Sequence, residues 1–282
     1  MKVLGLVSSP RRYGNSELAA KELLRSLPDG WEKRMIRLSD LDLAPCKACY
    51  ACLAREGKSC VLRDDMDFVL EHMLWADKIA IAAPCYILGA HDGVQRLIGR
   101  LMPVMERYPS FAGKQCALAI SYGLHGWEGM AREEMLKIPQ CLGMGLAGAA
   151  MLEAIMPGDS VRGENLQSLR ELAKALEGPC GGEPYTPEGD TLLCPYCRSR
   201  LLTIKPDRNW RCVLCDGGGA IVEGPQGFSL EADGQAGNRF TAERRVGHEK
   251  QLQEAKRRFI EHKAEIKELQ GEYRQDSWWV AP

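Results

Sequence analysis

Eight of the twelve cysteines in this 282-residue sequence fall into two groups whose spacing could do chemistry. The stretch APCKACYACLAREGKSC, residues 44–60, carries Cys46, Cys49, Cys52 and Cys60. Farther along, CPYCRSRLLTIKPDRNWRCVLC carries Cys194, Cys197, Cys212 and Cys215 in a C-x2-C-x14-C-x2-C pattern. The cytosol keeps thiols reduced, so grouped cysteines in a cytoplasmic chain read as metal ligands before disulfides. The start, MKVLGLVSSPRRYGNS, turns polar too soon for a secretory leader, and a cytoplasmic location is expected. The second group suits one tetrahedral four-sulfur site built on two β-knuckles. So small a module has too few apolar residues to fold alone, and metal binding would supply its folding free energy.

A third stretch, SSPRRYGNS at 8–16, has the composition of an anion-binding turn. Lying between a strand and a helix, it can aim backbone N–H groups and a helix dipole at one phosphate. Ser9, Asn15 and Ser16 add side-chain donors, Arg11 or Arg12 adds charge, and Gly14 permits a tight turn. The pattern is neither G-x-G-x-x-G nor G-x-x-x-x-G-K-[ST], which argues against a dinucleotide or Walker-type site.

The elements that must position these residues follow from periodicity. Apolar runs at 2–9, 32–38, 78–84, 114–122 and 143–152 read as strands. Amphipathic stretches at about 15–27, 65–75, from after residue 92 to about 106, 128–142 and 164–177 read as helices. Five β-α units with near-continuous apolar strands predict a doubly wound α/β fold with a five-stranded parallel sheet. Ligands bind such sheets outside the carboxyl ends of the strands. A Gly/Pro-rich linker (179–191) should lead to a small metal-bound β ribbon (192–232). A C-terminal helix and tail (233–282) should follow, the helix over about 241–275. Leu252, Ala255, Phe259, Ile266, Leu269 and Tyr273 form an apolar seam on that helix, interrupted by His262. The seam would pack on its own chain, on a symmetry mate or on a docking partner. Trp278 and Trp279 are expected to be buried. Composition excludes little beyond two partners. With 37 basic and 38 acidic residues the net charge of −1 gives no ground for nucleic acid, and no apolar run reaches membrane-spanning length.

SSPRRYGNS resembles the FMN-phosphate loop of the flavodoxin-like NAD(P)H-dependent FMN reductases, approximately S-x-R-x-x-G-N-[ST]. APCYILGAHDGVQRLIGR (83–100) resembles that family's second loop, and SYGLHGWEG (121–129) lies where its third flavin-contacting loop belongs. The resemblance covers about residues 1–178, and residues 1–178 are expected to form the flavodoxin-like domain. It implies that Ser9, Arg11, Gly14, Asn15 and Ser16 hold the FMN phosphate. Pro84, Tyr86 and Ile87 would flank the isoalloxazine ring, with Tyr122 and Gly123 on its far side. One departure is Gly99 before Arg100, where relatives often carry an acidic residue, at a position expected on a helix past the site.

The C-x2-C-x2-C triplet with a detached fourth cysteine suits wrapping a multi-iron cluster better than a zinc ribbon. With the acidic pair and methionine at Asp64, Asp65 and Met66, it resembles the iron–sulfur flavoprotein branch of the same family. That resemblance implies a 4Fe-4S cluster on Cys46, Cys49, Cys52 and Cys60, with zinc or free, redox-switching thiols as alternatives. NWRCVLC is similar to the second knuckle of rubredoxins. However, Arg198 and Asp216 stand where those proteins usually carry glycine, so zinc is favoured over a single iron at Cys194, Cys197, Cys212 and Cys215.

The function expected is electron relay between a two-electron FMN and a one-electron cluster, with ferredoxin or NAD(P)H as donor. No side chain is required as catalytic acid, base or nucleophile. A homodimer or homotetramer is expected by resemblance. The alternatives are a cluster-free NAD(P)H-dependent FMN or quinone reductase, and a redox-sensing or docking subunit of a larger complex.

Overall fold

The structure, a computed structural model, describes residues 1–54, 60–102, 110–182, 184–186, 191–225, 227–234, 238–272 and 278. Five parallel strands form the main sheet: β1 (Lys2–Val7), β2 (Glu32–Arg37), β3 (Lys78–Tyr86), β5 (Gln115–Tyr122) and β6 (Gly145–Glu153). Their order is β2-β1-β3-β5-β6, and the two-residue strand β4 (Gly89–Ala90) hangs antiparallel on the end of β3. The chain reverses its winding direction between β1 and β3, so the loops after these strands open a crevice there.

Period-2 alternation assigns each strand residue to a face. Leu4, Leu6, Ile79, Ile81, Leu118 and Ile120 join one core with α2 (Met66–Trp75), α3 (Asp92–Gly99) and α4 (Ala131–Leu142). Val3, Val7, Ala80, Ala82, Ala117 and Ala119 join the other with α1 (Asn15–Arg25) and α5 (Gly163–Glu177). The alanines let α1 approach the sheet closely, since interiors pack to near-crystal density.

Beyond α5 the chain does not leave the sheet at once. Tyr185, within the expected linker, forms a parallel bridge to Gly148 and donates its N–H to the Ala147 carbonyl at 2.7 Å. It thereby covers an edge of β6 that would otherwise be unpaired. An antiparallel sheet follows in the order β10-β9-β8-β7, from β7 (Leu202–Ile204), β8 (Asn209–Cys212), β9 (Gly218–Gly224) and β10 (Gly227–Ala232).

The C-terminal helix is two helices, α6 (Ala242–Glu261) and α7 (Lys263–Glu272). The division falls at His262, whose φ of −96° and ψ of 13° leave the helical range and whose imidazole pairs with Glu265 three residues on. Near its start α6 is held to α4 by Arg245, which donates to the Gln140 carbonyl at 2.7 Å, and it packs against the 3-10 turn Ala51–Ala54 of the cysteine loop. The apolar seam is not buried along its length. Leu252 and Ile266 are half-buried, but Phe259 is 52% exposed and Leu269 similarly open. Trp278 is 84% exposed, contrary to expectation, with no packing partner among the described residues. Tyr273, Gln275 and Trp279 lie outside the described residues, as does the 103–106 end expected for α3, whose described helix stops at Gly99.

Candidate functional site

Four loops at the carboxyl ends of the strands carry the residues singled out by sequence. In sheet order they are the cysteine loop after β2, residues 8–14 after β1, residues 84–91 at the end of β3, and residues 122–130 after β5.

The first loop is built for an anion. Gly14 is the N-cap of α1 but gives no side-chain cap, so the N–H groups of the first turn are orphan donors. Arg12 leans towards Asp40 at 3.7 Å, whereas the Arg11 guanidinium has no ion pair among the described residues. Arg11 is thus the loop's available cation. Gly14 permits the tight turn as expected, and the role expected of the Asn15 side chain is corrected. Gly14 has an ordinary φ of −75°, and the left-handed residue is Tyr13 at 56°. Glycine is needed for closeness instead, because a Cβ would stand 3.1 Å from both Cβ and the carbonyl oxygen of Arg11. Asn15 does not spare its side chain for a phosphate. Its Nδ2 donates to the Ala154 and Met156 carbonyls, each at 3.0 Å, and its Oδ1 accepts from Gly158 N–H at 2.9 Å. What Asn15 can offer an anion is its backbone N–H.

Two residues not anticipated from sequence hold this loop in shape. Arg37 donates to the Ser9 carbonyl at 2.8 Å and to Glu17 at 2.5 Å. Glu17 also accepts from Lys21 and from the Tyr13 N–H, each at 2.6 Å. Burial alone would raise the Glu17 pKa, but these hydrogen bonds outweigh it and hold the carboxyl down at about 2.

The second loop is a hairpin. Cys85 pairs with Ala90 and Tyr86 with Gly89, leaving Ile87 and Leu88 as a two-residue turn with φ of 49° and 61°. Such turns usually take Asn or Gly, so an isoleucine there is strained, and Ile87 is 99% exposed at the tip. Tyr86 stands T-shaped to His91 at 5.2 Å. Nδ1 of His91 accepts from Gly93 N–H at 3.2 Å and lies 2.9 Å from the Ser8 hydroxyl, which therefore donates to it. Burial pushes the His91 pKa below its ordinary value, against the pull of Asp92. Cys85 is filler: half-buried, with its thiol at the Trp127 and Glu128 carbonyls and its pKa raised by burial.

The loops are tied to one another. Ser8 meets His91, Ser16 Oγ lies 3.2 Å from Ser121 Oγ, and Met130 N–H donates to the Leu88 carbonyl at 2.7 Å. Glu134, in the first turn of α4, accepts from Ala90 N–H at 2.6 Å. Tyr122 is half-buried and Gly123 exposed at the head of the third loop. Around this opening Tyr86, Ile87, Leu124, Trp127 and Met130 are exposed, an apolar rim suited to a planar aromatic ring. A phosphate-sized anion site beside an apolar rim fits the two ends of FMN.

The cysteine loop lies between the 3-10 turn Leu38–Asp40 that follows β2 and the start of α2 at Met66. Its neck is closed by the acidic pair: Asp65 accepts from Asp42 N–H at 2.8 Å, and Asp64 from Ala44 N–H at 3.0 Å. Cys46, Cys49, Cys52 and Cys60 line one cavity together with Arg100 and Met102. Ala48 and Tyr50 take left-handed φ of 49° and 53°, curling the triplet, and Ala48 N–H donates to Cys46 Sγ at 3.4 Å. Burial raises the Cys52 pKa and the charges of Cys60, Cys46 and Cys49 raise it further, so the four thiols are electrostatic neighbours. They do not converge on one ion, because among the described residues only the second cysteine group does so. Sulfurs spread around a cavity, with the Ala48 N–H donating to one of them, suit a cluster better than a single ion.

That second group is compact. Cys194, Cys197, Cys212 and Cys215 are buried with all four Sγ atoms within 4.8 Å of one another, and the Cys194–Cys215 and Cys197–Cys212 pairs are each 3.6 Å apart. Metal–sulfur bonds of ~2.3 Å give a tetrahedron with edges of about 3.8 Å, so a single zinc or iron fits. The first knuckle also grips α4. Arg132 donates to the Arg198 carbonyl at 2.9 Å, and buried Glu133 accepts from Arg200 N–H and Nε, each at 3.2 Å. Through Glu134 and Met130 the same turn holds the hairpin at 84–91.

Residues 1–151, more than half of the chain, match the NADPH-dependent FMN reductase family. An iron-sulfur flavoprotein of Archaeoglobus fulgidus is 29% identical over 189 residues, covering 65% of this chain and 84% of that protein. One from Methanosarcina thermophila is 38% identical over 127 residues, covering 44% of this chain and 63% of that protein. The whole fold, ribbon and C-terminal helix included, is similar to a solved flavone reductase, with a TM-score of 0.72, 18% identity and 100% coverage of both chains. An NAD(P)H:quinone oxidoreductase from Methanothermobacter marburgensis shares the fold of the first part, at a TM-score of 0.51 and 19% identity over 63% of this chain and 96% of that one. The chain belongs to the NADPH-dependent FMN reductase family and is a flavin-dependent oxidoreductase.

Proposed function

We propose that this protein moves electrons between an FMN and a 4Fe-4S cluster held in neighbouring loops. FMN would lie on residues 8–16, 84–91 and 122–130, with its phosphate at Arg11 and the first turn of α1. Cys46, Cys49, Cys52 and Cys60 would hold the cluster. The observation that carries this reading is adjacency: the cysteine loop follows β2 and the anion loop follows β1, its neighbour in the sheet, at the same strand ends. Bound together, the cofactors supply an interchange of two-electron and one-electron chemistry. The chain's own residues would orient the flavin on loops that the Ser8–His91 contact ties together, and keep the cysteine loop closed through Asp64 and Asp65.

The donor is reduced ferredoxin or NAD(P)H, and the second four-cysteine site holds zinc as a structural ion. The exposed apolar rim and the open seam of α6 and α7 support a homodimer or homotetramer. Anaerobic purification with iron, sulfide, zinc and flavin quantitation tests this assignment. About four iron and four sulfide with one FMN and one zinc per chain are expected. Flavin without iron or sulfide in protein never exposed to oxygen would leave a two-electron reductase.

A further inference from the structure

Arg100, at the C-cap of α3, comes from a part of the chain that sequence places past the flavin site. The fold brings it to the floor of the cysteine cavity, where it is 1% exposed. Its Nη1 donates to the Ala44 carbonyl at 2.7 Å and to Asp64 at 2.5 Å, and its Nη2 to the other Asp64 oxygen at 3.1 Å. Asp64 is itself 2% exposed. Closing the neck of a loop does not require a charge, and burying two ions costs more desolvation than an apolar contact would. The guanidinium also has an end that the pair leaves unused. Among the described residues, Arg100 Nε is buried with no hydrogen-bond partner, and the nearby Cys60 thiol adds to the raised pKa that Asp64 chiefly gives this arginine. A permanent buried cation thus stands in the wall that Cys46, Cys49, Cys52 and Cys60 share.

We infer that Arg100 is the positioning residue that sets the reduction potential of the group these cysteines hold, with Asp64 as its counterweight. The inference rests on the cluster reading above. Reduction adds one electron to the cluster and no proton at Arg100. The reduced state is more negative by one charge, and an adjacent cation in a low-dielectric wall stabilises it selectively. Removing the cation should make the cluster harder to reduce. Removing the Asp64 charge while keeping Arg100 should make it easier.

The experiment compares the wild-type protein with Arg100→Gln, Arg100→Lys and Asp64→Asn, all purified anaerobically. Iron and sulfide are counted, and each protein is titrated redox-potentiometrically with low-temperature electron paramagnetic resonance. Poised where the wild-type cluster is half reduced, Arg100→Gln should show an oxidised-to-reduced ratio raised about tenfold, a one-electron shift of ~59 mV. Arg100→Lys should recover most of that shift, and Asp64→Asn should move the other way. Loss of iron from Arg100→Gln alone, with Arg100→Lys loaded and both unloaded proteins melting like wild type, also supports the charge. Titration of Arg100→Gln at the wild-type potential overturns the inference, as does equal iron loss from the glutamine and lysine variants. A wild-type protein without iron or sulfide overturns the cluster reading itself.

Discussion

A Cβ placed on Gly129 would stand 2.2 Å from the carbonyl oxygen of Leu88, the oxygen that also accepts the Met130 N–H. Two loops of the proposed flavin site therefore touch backbone to backbone, and only glycine allows it. Its φ of 52° adds a second demand for glycine. Gly129→Ala should cost about 1–3 kcal/mol and weaken FMN binding by parting these loops. Thermal melts and fluorescence titration with FMN check both. Unchanged FMN affinity would show that the contact does not shape the site.

Arg11 and Asn15 separate binding from folding. Arg11→Ala removes the available cation of the anion loop, and loss of one charge-assisted contact of ~1.5–3 kcal/mol should lower FMN affinity about 10- to 100-fold. Riboflavin, which lacks the phosphate, should bind both proteins alike. Asn15→Ala instead leaves the Gly158 N–H unsatisfied and should lower stability by about 1–3 kcal/mol. Its effect should not distinguish FMN from riboflavin.

Glu17 makes a pH prediction. Its folded pKa of about 2 lies below the ordinary 4.5, so its ionised form is favoured by folding. The stabilisation is complete above pH 4.5 and is lost as pH falls through about 2. Glu17→Gln should therefore be destabilised by on the order of 3 kcal/mol near neutral pH, and the gap should narrow below pH 4.5. Urea unfolding of both proteins between pH 7 and 3 measures it. A gap independent of pH would assign the loss to packing.

The metal ribbon should be felt at the flavin. Its first knuckle holds Arg132 and Glu133, and the same turn of α4 holds Ala90 through Glu134. Stripping the metal with a strong chelator should unfold the ribbon, since metal binding is its folding energy. FMN affinity should then fall several-fold, with full recovery on adding zinc. Glu133→Gln should reproduce a part of that loss with the metal still bound. Unaltered FMN affinity in the stripped protein would make the ribbon independent of the site.

Much of this arrangement is legible in the sequence where the determinants are local. KIAIAAP, the C-x2-C knuckles and SSPRRYGNS each declare a strand, a metal site and an anion turn from adjacent residues. Asn15 and Arg100 were legible only as residue types. Asn15 is spent on a loop 139 to 145 residues away, and Arg100 meets Asp64 across 36 residues. Neither meeting has a periodicity that could announce it. The Ile87–Leu88 turn was hidden for the opposite reason: local chemistry argues against a hairpin there, and the paired strands on either side impose it. The break at His262 follows no proline or glycine, so a continuous helix was the natural expectation.

In the proposed function, flavin and cluster share electrons within one chain. The most direct test of that sharing is an anaerobic stepwise reduction followed on the same samples by visible absorbance and low-temperature electron paramagnetic resonance. Uptake of about three electrons per chain is expected, two at FMN and one at the cluster, with a cluster signal that disappears in Cys52→Ser. Uptake of about two electrons, with flavin bleaching and no cluster signal from anaerobically purified protein, would contradict it.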